Sequence, residues 1–214
     1  MGGRRCVTLA AMEERLRRLQ ADCRACTVCA DQGLIARARP VVHGRSDAVF
    51  LLVGQAPGTV EQDGGRPFAG RAGRELGRWM VRAGFADDDD FRRWTYIAAL
   101  MRCFPGRNAS GTGDRPPPAR GIANCRHWLE AELQLLRPRA VIPVGQMAIR
   151  RFLGPAALEE RIGGAFGEAP IVLPLPHPSG QSRWLNQPPN RRRLEAALAA
   201  LAELRRRFVP GAAS

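Results

Sequence analysis

The stretch that decides the fold is 48-AVFLLVGQAPGTVEQDGGRPFAGRAG-73. Residues 48–53 are wholly apolar and too few for a buried helix, so they read as a short strand covered on both faces. Glycine and proline then punctuate the chain. A helical pattern follows over 72–85, with apolar residues recurring at helical spacing. A glycine-rich turn between strand and helix often cradles a phosphate. This one is neither GxGxxG nor GxxxxGK[ST]. It also carries a proline, several acids and amides, and a phenylalanine, a mixture unlike a phosphate cradle.

Working outward, the same alternation continues. Apolar runs at 95–101, 140–144 and 171–175 predict three more strands. Helices are predicted over 12–25, 122–136, 146–153 and 190–208, and the ADDDD run after 72–85 reads as a solvated turn. Residues 105–120 form a glycine- and proline-rich loop without a regular period. Strands that are continuous apolar runs, alternating with helices, imply an α/β fold. The expected architecture is a three-layer α/β/α domain around a central four-stranded parallel sheet. One domain, 12–208, is expected between short tails at 1–11 and 209–214. In such sheets ligands sit beyond the carboxyl ends of the strands. Three unusual loops fall there: GQAPG, RCFPG and HPSGQSRW.

Charge narrows the partner. The net charge is +13 across 214 residues, and all 33 basic residues are arginine. A polyanion such as nucleic acid is the expected partner, through release of its counterions. No apolar run is long enough for a membrane span, and no secretory leader is evident. The expectation is a cytoplasmic monomer.

Six cysteines, Cys6, Cys23, Cys26, Cys29, Cys103 and Cys125, point to metal or redox chemistry in that compartment. CRACTVC holds two overlapping CxxC pairs, while Cys103 and Cys125 stand far downstream. Two close thiolates and two distant ones can complete a Cys₄ set, for zinc or for an iron–sulfur cluster. Cys23 falls on the apolar face of the first helix, so Cys26 and Cys29 are the better pair, with Cys23 and Cys26 the alternative. Cys6 belongs to the N-terminal tail.

Taken together, CTVC at 26–29, GQAPGTVEQDGGRPFAGRAG, Cys103 after the second strand, Cys125 in the next helix and HPS at 177–179 resemble the iron–sulfur uracil-DNA glycosylases, the family 4 branch of that superfamily. The resemblance covers nearly the whole chain. It implies base-excision repair: hydrolysis of the N-glycosidic bond of uracil in single- or double-stranded DNA after base flipping. It also implies a [4Fe-4S] cluster on Cys26, Cys29, Cys103 and Cys125. The family has glutamate where this chain has Gln55, and usually asparagine where it has Ala99. The HPSGQSRW loop looks like that of the mismatch-specific uracil/thymine glycosylases. The chain is thus similar to a divergent branch of broad specificity, reaching hypoxanthine or xanthine beside uracil. The 105–120 loop contains no histidine, so no covalent protein–DNA product is expected. The alternative is a catalytically weak or inactive iron–sulfur nucleic-acid-binding protein of the same fold.

The resemblance also assigns roles. His177 would stabilise the departing base oxyanion. Gly54, Ala56 and Pro57 would shape the pocket, Gln55 would hydrogen-bond within it, Phe68 would stack on the base, and Ala99 would lie at its edge. Glu61 or Asp63 would orient water or balance the sugar cation. Ser179, Gly180, Gln181, Ser182 and Arg183 would form the DNA loop. Trp184 reads as a packing anchor, the arginines at 191–193 as a solvated helix face, and His43 and His127 as structural.

Overall fold

The computed structural model describes residues 8–179 and 183–211. Helix α1, Leu9–Arg24, opens where the Thr8 side chain accepts the Ala11 amide at 3.3 Å. The helix therefore takes in residues 9–11, which sequence alone leaves in a tail. A short α2, Val28–Asp31, follows. Strand β1, Phe50–Gly54, leads into α3, Thr59–Gly64, then α4, Arg71–Arg82, and α5, Asp88–Trp94. Strand β2 is Thr95–Ala99, and α6, Ala119–Leu136, precedes β3, Ala140–Pro143. Helices α7, Gln146–Leu153, and α8, Leu158–Arg161, precede β4, Ile171–Val172. A 3₁₀ turn, Arg183–Asn186, leads into α9, Pro188–Phe208.

The four strands form one parallel sheet in the order β2-β1-β3-β4. Alternation along β1 explains its wholly apolar composition. Phe50 and Leu52 face a core built with α4, α5 and α9; Leu51 and Val53 face a second core with α1, α6 and α7. The expected three-layer α/β/α arrangement is what the chain adopts. Val209, placed by sequence in a C-terminal tail, is buried in the first core.

Two local readings are corrected. The acidic run 87–90 is not a free turn: Asp87 caps α5, accepting the Asp90 amide at 2.8 Å, and Asp88–Asp90 fill its first turn. Negative charge there offsets the helix dipole. The TVEQDG segment, read as loop, is α3. Its first turn is closed by Glu61 accepting the Gly58 amide at 3.1 Å, and it ends on Gly65 at φ 66.

Candidate active site

At the carboxyl ends of β1 and β2 lies a cavity of about 130 Å³. Gly54, Gln55, Ala56, Pro57, Glu61, Phe68, Ala99 and His177 all line it. Residues more than 120 positions apart thus meet because parallel strands deliver their following loops to one edge. The space suits one planar ring system and is too small for a whole nucleotide.

Phe68 is held in place by its surroundings. Its φ is 52, a left-handed value that a residue with a side chain adopts at a cost. Three features hold it there. A Cβ on Gly73 would stand 1.7 Å from the Phe68 carbonyl oxygen, so the turn packs directly on α4. A Cβ on Gly54 would come to 3.3 Å from the Phe68 ring, so the ring lies against bare backbone. Arg92, 7% exposed, donates to the carbonyls of Pro67 at 3.1 Å and Phe68 at 3.5 Å, and to Asp88 at 2.7 Å. If Phe68 stacks on a bound base as the sequence leads one to expect, Phe68→Ala would give up about 1–3 kcal/mol, and kcat/KM should fall roughly 5- to 150-fold. Gly73→Ala should produce a comparable loss with the ring still present, because its methyl meets rigid backbone. A Gly73→Ala enzyme with wild-type kinetics would show that the turn's geometry is irrelevant to the site.

His177 is mostly buried, and desolvation lowers its pKa below the ordinary histidine value. Its Nδ1 accepts the Ser179 amide at 3.2 Å. In the neutral ring Nε2 therefore carries the proton and is the nitrogen able to donate to a ligand. Gly145, at φ 83, packs against the ring, with a Cβ there only 3.2 Å from His177 Cδ2. Sequence reasoning passed over Gly145, whose only signal was its position directly after the third strand.

The acids separate into three situations. Both Glu61 oxygens are engaged by backbone: Oε2 accepts from Gly58 N at 3.1 Å and Oε1 from Gly70 N at 2.8 Å. Asp63 does not reach the cavity. It sits two residues further along α3, about 200° around the helix, and it faces Arg39 at 3.7 Å with its side chain 63% exposed. Asp114, absent from the sequence-based candidates, lines the cavity instead. It comes from the loop after β2, and its one ion-pair partner among the described residues is Arg107 at 3.4 Å. Glu61 and Asp114 both approach Gly58: a Cβ there would meet Glu61 Oε2 at 2.7 Å and Asp114 Oδ2 at 2.9 Å. The sequence signal was slight, a single acid in GTGDR within an otherwise basic loop.

The RCFPG loop, expected at the site, feeds a different cluster. Cys103, Cys125 and Cys29 are buried together with Ile35 and Met101, with Ala56 of the pocket wall packed against them. Cys26, half-buried, stands just before α2, three residues from Cys29. Burial pushes the Cys103 thiol up to about 12 and Cys125 to about 11. Two donors already point at sulfur: the Arg102 amide at Cys125 and the Asn124 side chain at Cys29, each at 3.5 Å. Cys23, pushed up to about 12 by burial, lies on α1. The Arg102 guanidinium pairs with Glu132 at 2.5 Å and is 1% exposed. Tyr96 donates to the same Glu132 at 2.8 Å. No group of three or more His, Cys, Asp or Glu among the described residues is arranged to hold a metal ion. Cys29, Cys103 and Cys125 are buried and Cys26 is half-buried. Buried thiols with hydrogen-bond donors around them have the chemistry of a set of thiolate ligands.

The chain after β4 is anchored at Trp184. Ser179 borders a groove beside the cavity rather than the cavity itself. Gly180, Gln181 and Ser182 lie outside the described residues, as does Cys6. Arg183 opens the 3₁₀ turn and is exposed. Trp184 is a packing anchor as expected: it packs on the core and donates to Glu159 at 2.6 Å, while its carbonyl accepts from buried Asn190 at 3.0 Å. The arginines at 191–193 are not simply solvated, since Arg191 donates to the Leu185 carbonyl at 2.8 Å and Arg193 to the Glu159 carbonyl at 3.0 Å. His43 bridges Ile97 through backbone, and His127 rests on Trp128 at 4.2 Å.

The strand-end cavity thus brings together an aromatic ring on bare glycine and a histidine whose Nδ1 is taken by backbone. The family model described as the uracil DNA glycosylase superfamily matches residues 41–204. The chain belongs to the uracil DNA glycosylase superfamily. A type-4 uracil-DNA glycosylase of Thermotoga maritima is 30% identical over 142 residues, 66% of this chain and 67% of the relative. One from Archaeoglobus fulgidus is 26% identical over 171 residues, covering 75% of this chain and 79% of the relative. A type-5 uracil-DNA glycosylase of Pyrobaculum aerophilum is 32% identical over 126 residues, 54% and 53% of the two chains. Within this superfamily member, the matched span holds every cavity-lining residue, together with Cys103 and Cys125, while Cys26 and Cys29 precede it. No helix among the described residues is long and apolar enough to cross a membrane.

Proposed function

We propose that this uracil DNA glycosylase releases uracil from DNA by hydrolysing its N-glycosidic bond, with His177 as the group that stabilises the leaving base. The observation that carries the reading is the Ser179 amide on His177 Nδ1, which leaves a neutral imidazole with Nε2–H as donor. The target base leaves the stack and enters the cavity against Phe68. As the bond from the sugar to the base nitrogen breaks, negative charge gathers on the base and positive charge on the sugar. Nε2–H donates to the base oxygen as that charge develops. Asp114, paired at one oxygen with Arg107 on the surface, is the carboxylate that holds the attacking water and faces the sugar cation. Glu61 is a positioning residue, tying the turn at Gly58 to the start of α4 at Gly70. Gln55 supplies an amide to the base edge.

A [4Fe-4S] cluster on Cys26, Cys29, Cys103 and Cys125 would serve the fold: it would join α2, the loop after β2 and α6, beside the buried cysteines on which Ala56 of the pocket wall packs. Cys125→Ser should give protein without the broad brown visible absorbance and with a lower melting temperature, whereas Cys23→Ser should keep the colour. Colour lost in Cys23→Ser and retained in Cys29→Ser would move the fourth ligand to Cys23.

Ala99 places a methyl group at the cavity wall, where an edge-reading side chain would discriminate among bases. The same pocket therefore takes hypoxanthine or xanthine as well as uracil. Single-turnover assays on oligonucleotides carrying one altered base each test both readings. Activity confined to uracil ends the broad-specificity proposal. Binding without release of any base would establish the inactive nucleic-acid-binding protein instead.

A further inference from the structure

Helix α4 leaves the base pocket carrying a row of arginines that the chemistry does not use. Arg71, Arg74 and Arg78 recur at helical spacing and are exposed, opposite the buried face of Gly73, Leu76, Trp79 and Met80. They line one wall of a groove of about 430 Å³ whose other wall includes Ser179, Leu185 and Asn186. At Arg71 and Ser179 this groove runs into a wider one, about 630 Å³, that passes over His177 and Asp114. The two grooves make one path from the cavity mouth along the helix.

Among the described residues, the charge on that path is compensated only at Arg78. Glu75 is the acid in the groove, and its carboxylate already accepts from Trp79 Nε1 at 2.9 Å and Arg78 at 2.7 Å. The next arginine on the row, Arg82, pairs with Glu195. Among the described residues Arg71 and Arg74 have no carboxylate within ion-pair distance. Successive guanidinium groups separated by about 4.5 and 6 Å of helix rise, on long side chains, suit neighbouring phosphates of one strand.

We infer that Arg71 and Arg74, continued by Arg78, form a backbone track that holds the phosphates of the damaged strand on one side of the extruded nucleotide. The inference rests on the glycosylase reading only for the word damaged; the track itself is a DNA-binding surface. It differs from the loop at 179–183 in lying on a rigid helix, so it sets how the strand enters rather than filling the gap left by the base.

The test is a salt titration of binding to a duplex carrying one 2′-fluoro-2′-deoxyuridine, which resists cleavage. Arg71→Gln and Arg74→Gln should each reduce the slope of log affinity against log salt by about 0.9, and weaken binding roughly eightfold near 0.1 M salt. Single-turnover rates at saturating protein should stay within about twofold of the parent, since phosphates position and do not react. Arg18→Gln on α1, on the other side of the sheet and paired with Glu14 at 2.8 Å, removes the same charge and should leave the slope unchanged. Slopes for the α4 variants equal to that of Arg18→Gln overturn the proposal. If an α4 variant melts early, scanning the parent protein with single neutral methylphosphonates around the lesion decides instead. One or two positions on one side of the lesion must lose affinity, and a scan with no such position overturns the track. Parent protein that binds with the expected slope yet releases no base would refute the glycosylase reading and leave the track standing.

Discussion

His177→Ala should lower the single-turnover rate of uracil release by about 10²–10³, with DNA affinity nearly unchanged. The ring contributes through one N–H on a partly buried side chain, where a donor aimed at developing charge is worth more than in bulk water. Because the charge arises only as the bond breaks, its removal affects the chemical step rather than binding. Burial lowers the His177 pKa, so the neutral ring is favoured in the folded protein. The activity plateau should therefore extend below the ordinary histidine value of about 6.5, and the acid limb should appear only as pH falls through the depressed value. His43 is depressed as well, by burial first and then by Arg92 and Arg66. For both, the unfolded chain takes up protons more readily. Their contribution to stability is complete above about pH 6.5 and is lost as pH drops toward the folded values. A limb centred at or above 6.5, or a His177→Ala rate within a few-fold of the parent, would remove His177 from the chemistry.

Asp114→Asn should cost about 10²–10⁴ in rate, the range for loss of a positioned acid–base group, at little cost to folding. Its side chain is 41% exposed and its partner Arg107 is on the surface, so the fold loses little when the charge is removed. Glu61→Gln should show the opposite pattern. A carboxamide keeps one acceptor for two backbone donors, leaving one of them unpaired at about 1–3 kcal/mol. The melting temperature should fall, and the rate should fall only as far as Phe68 and Gly58 shift. A rate collapse in Glu61→Gln at unchanged melting temperature, with Asp114→Asn near normal, would assign the water to Glu61.

Much of this was legible beforehand because it depends on local composition. Continuous apolar strands dictated burial on both faces, and short strands alternating with helices dictated parallel pairing. Knowing that loops gather at the carboxyl ends, one could collect GQAPG, Ala99 and His177 into one site before seeing them together. Phe68 was recognisable by resemblance, but its left-handed backbone, and the need for Gly73 beneath it and Arg92 behind it, were not. Those depend on atoms brought together from separate elements. The acids show the same boundary. Glu61 and Asp63 stand two apart in the sequence with equal claims, and only the turn of α3 sends one to the backbone of Gly58 and Gly70 and the other to Arg39.

By itself, then, the order of residues determined the sheet, its two covered faces and the placement of the loops that follow its strands, because each follows from periodicity and topology. Only the tertiary structure decided which carboxylate lines the cavity, which nitrogen of His177 accepts from backbone, and which arginines among the described residues lack an acidic partner. Each of these is settled by a hydrogen bond or an ion pair, and the partner that makes it can stand anywhere along the chain.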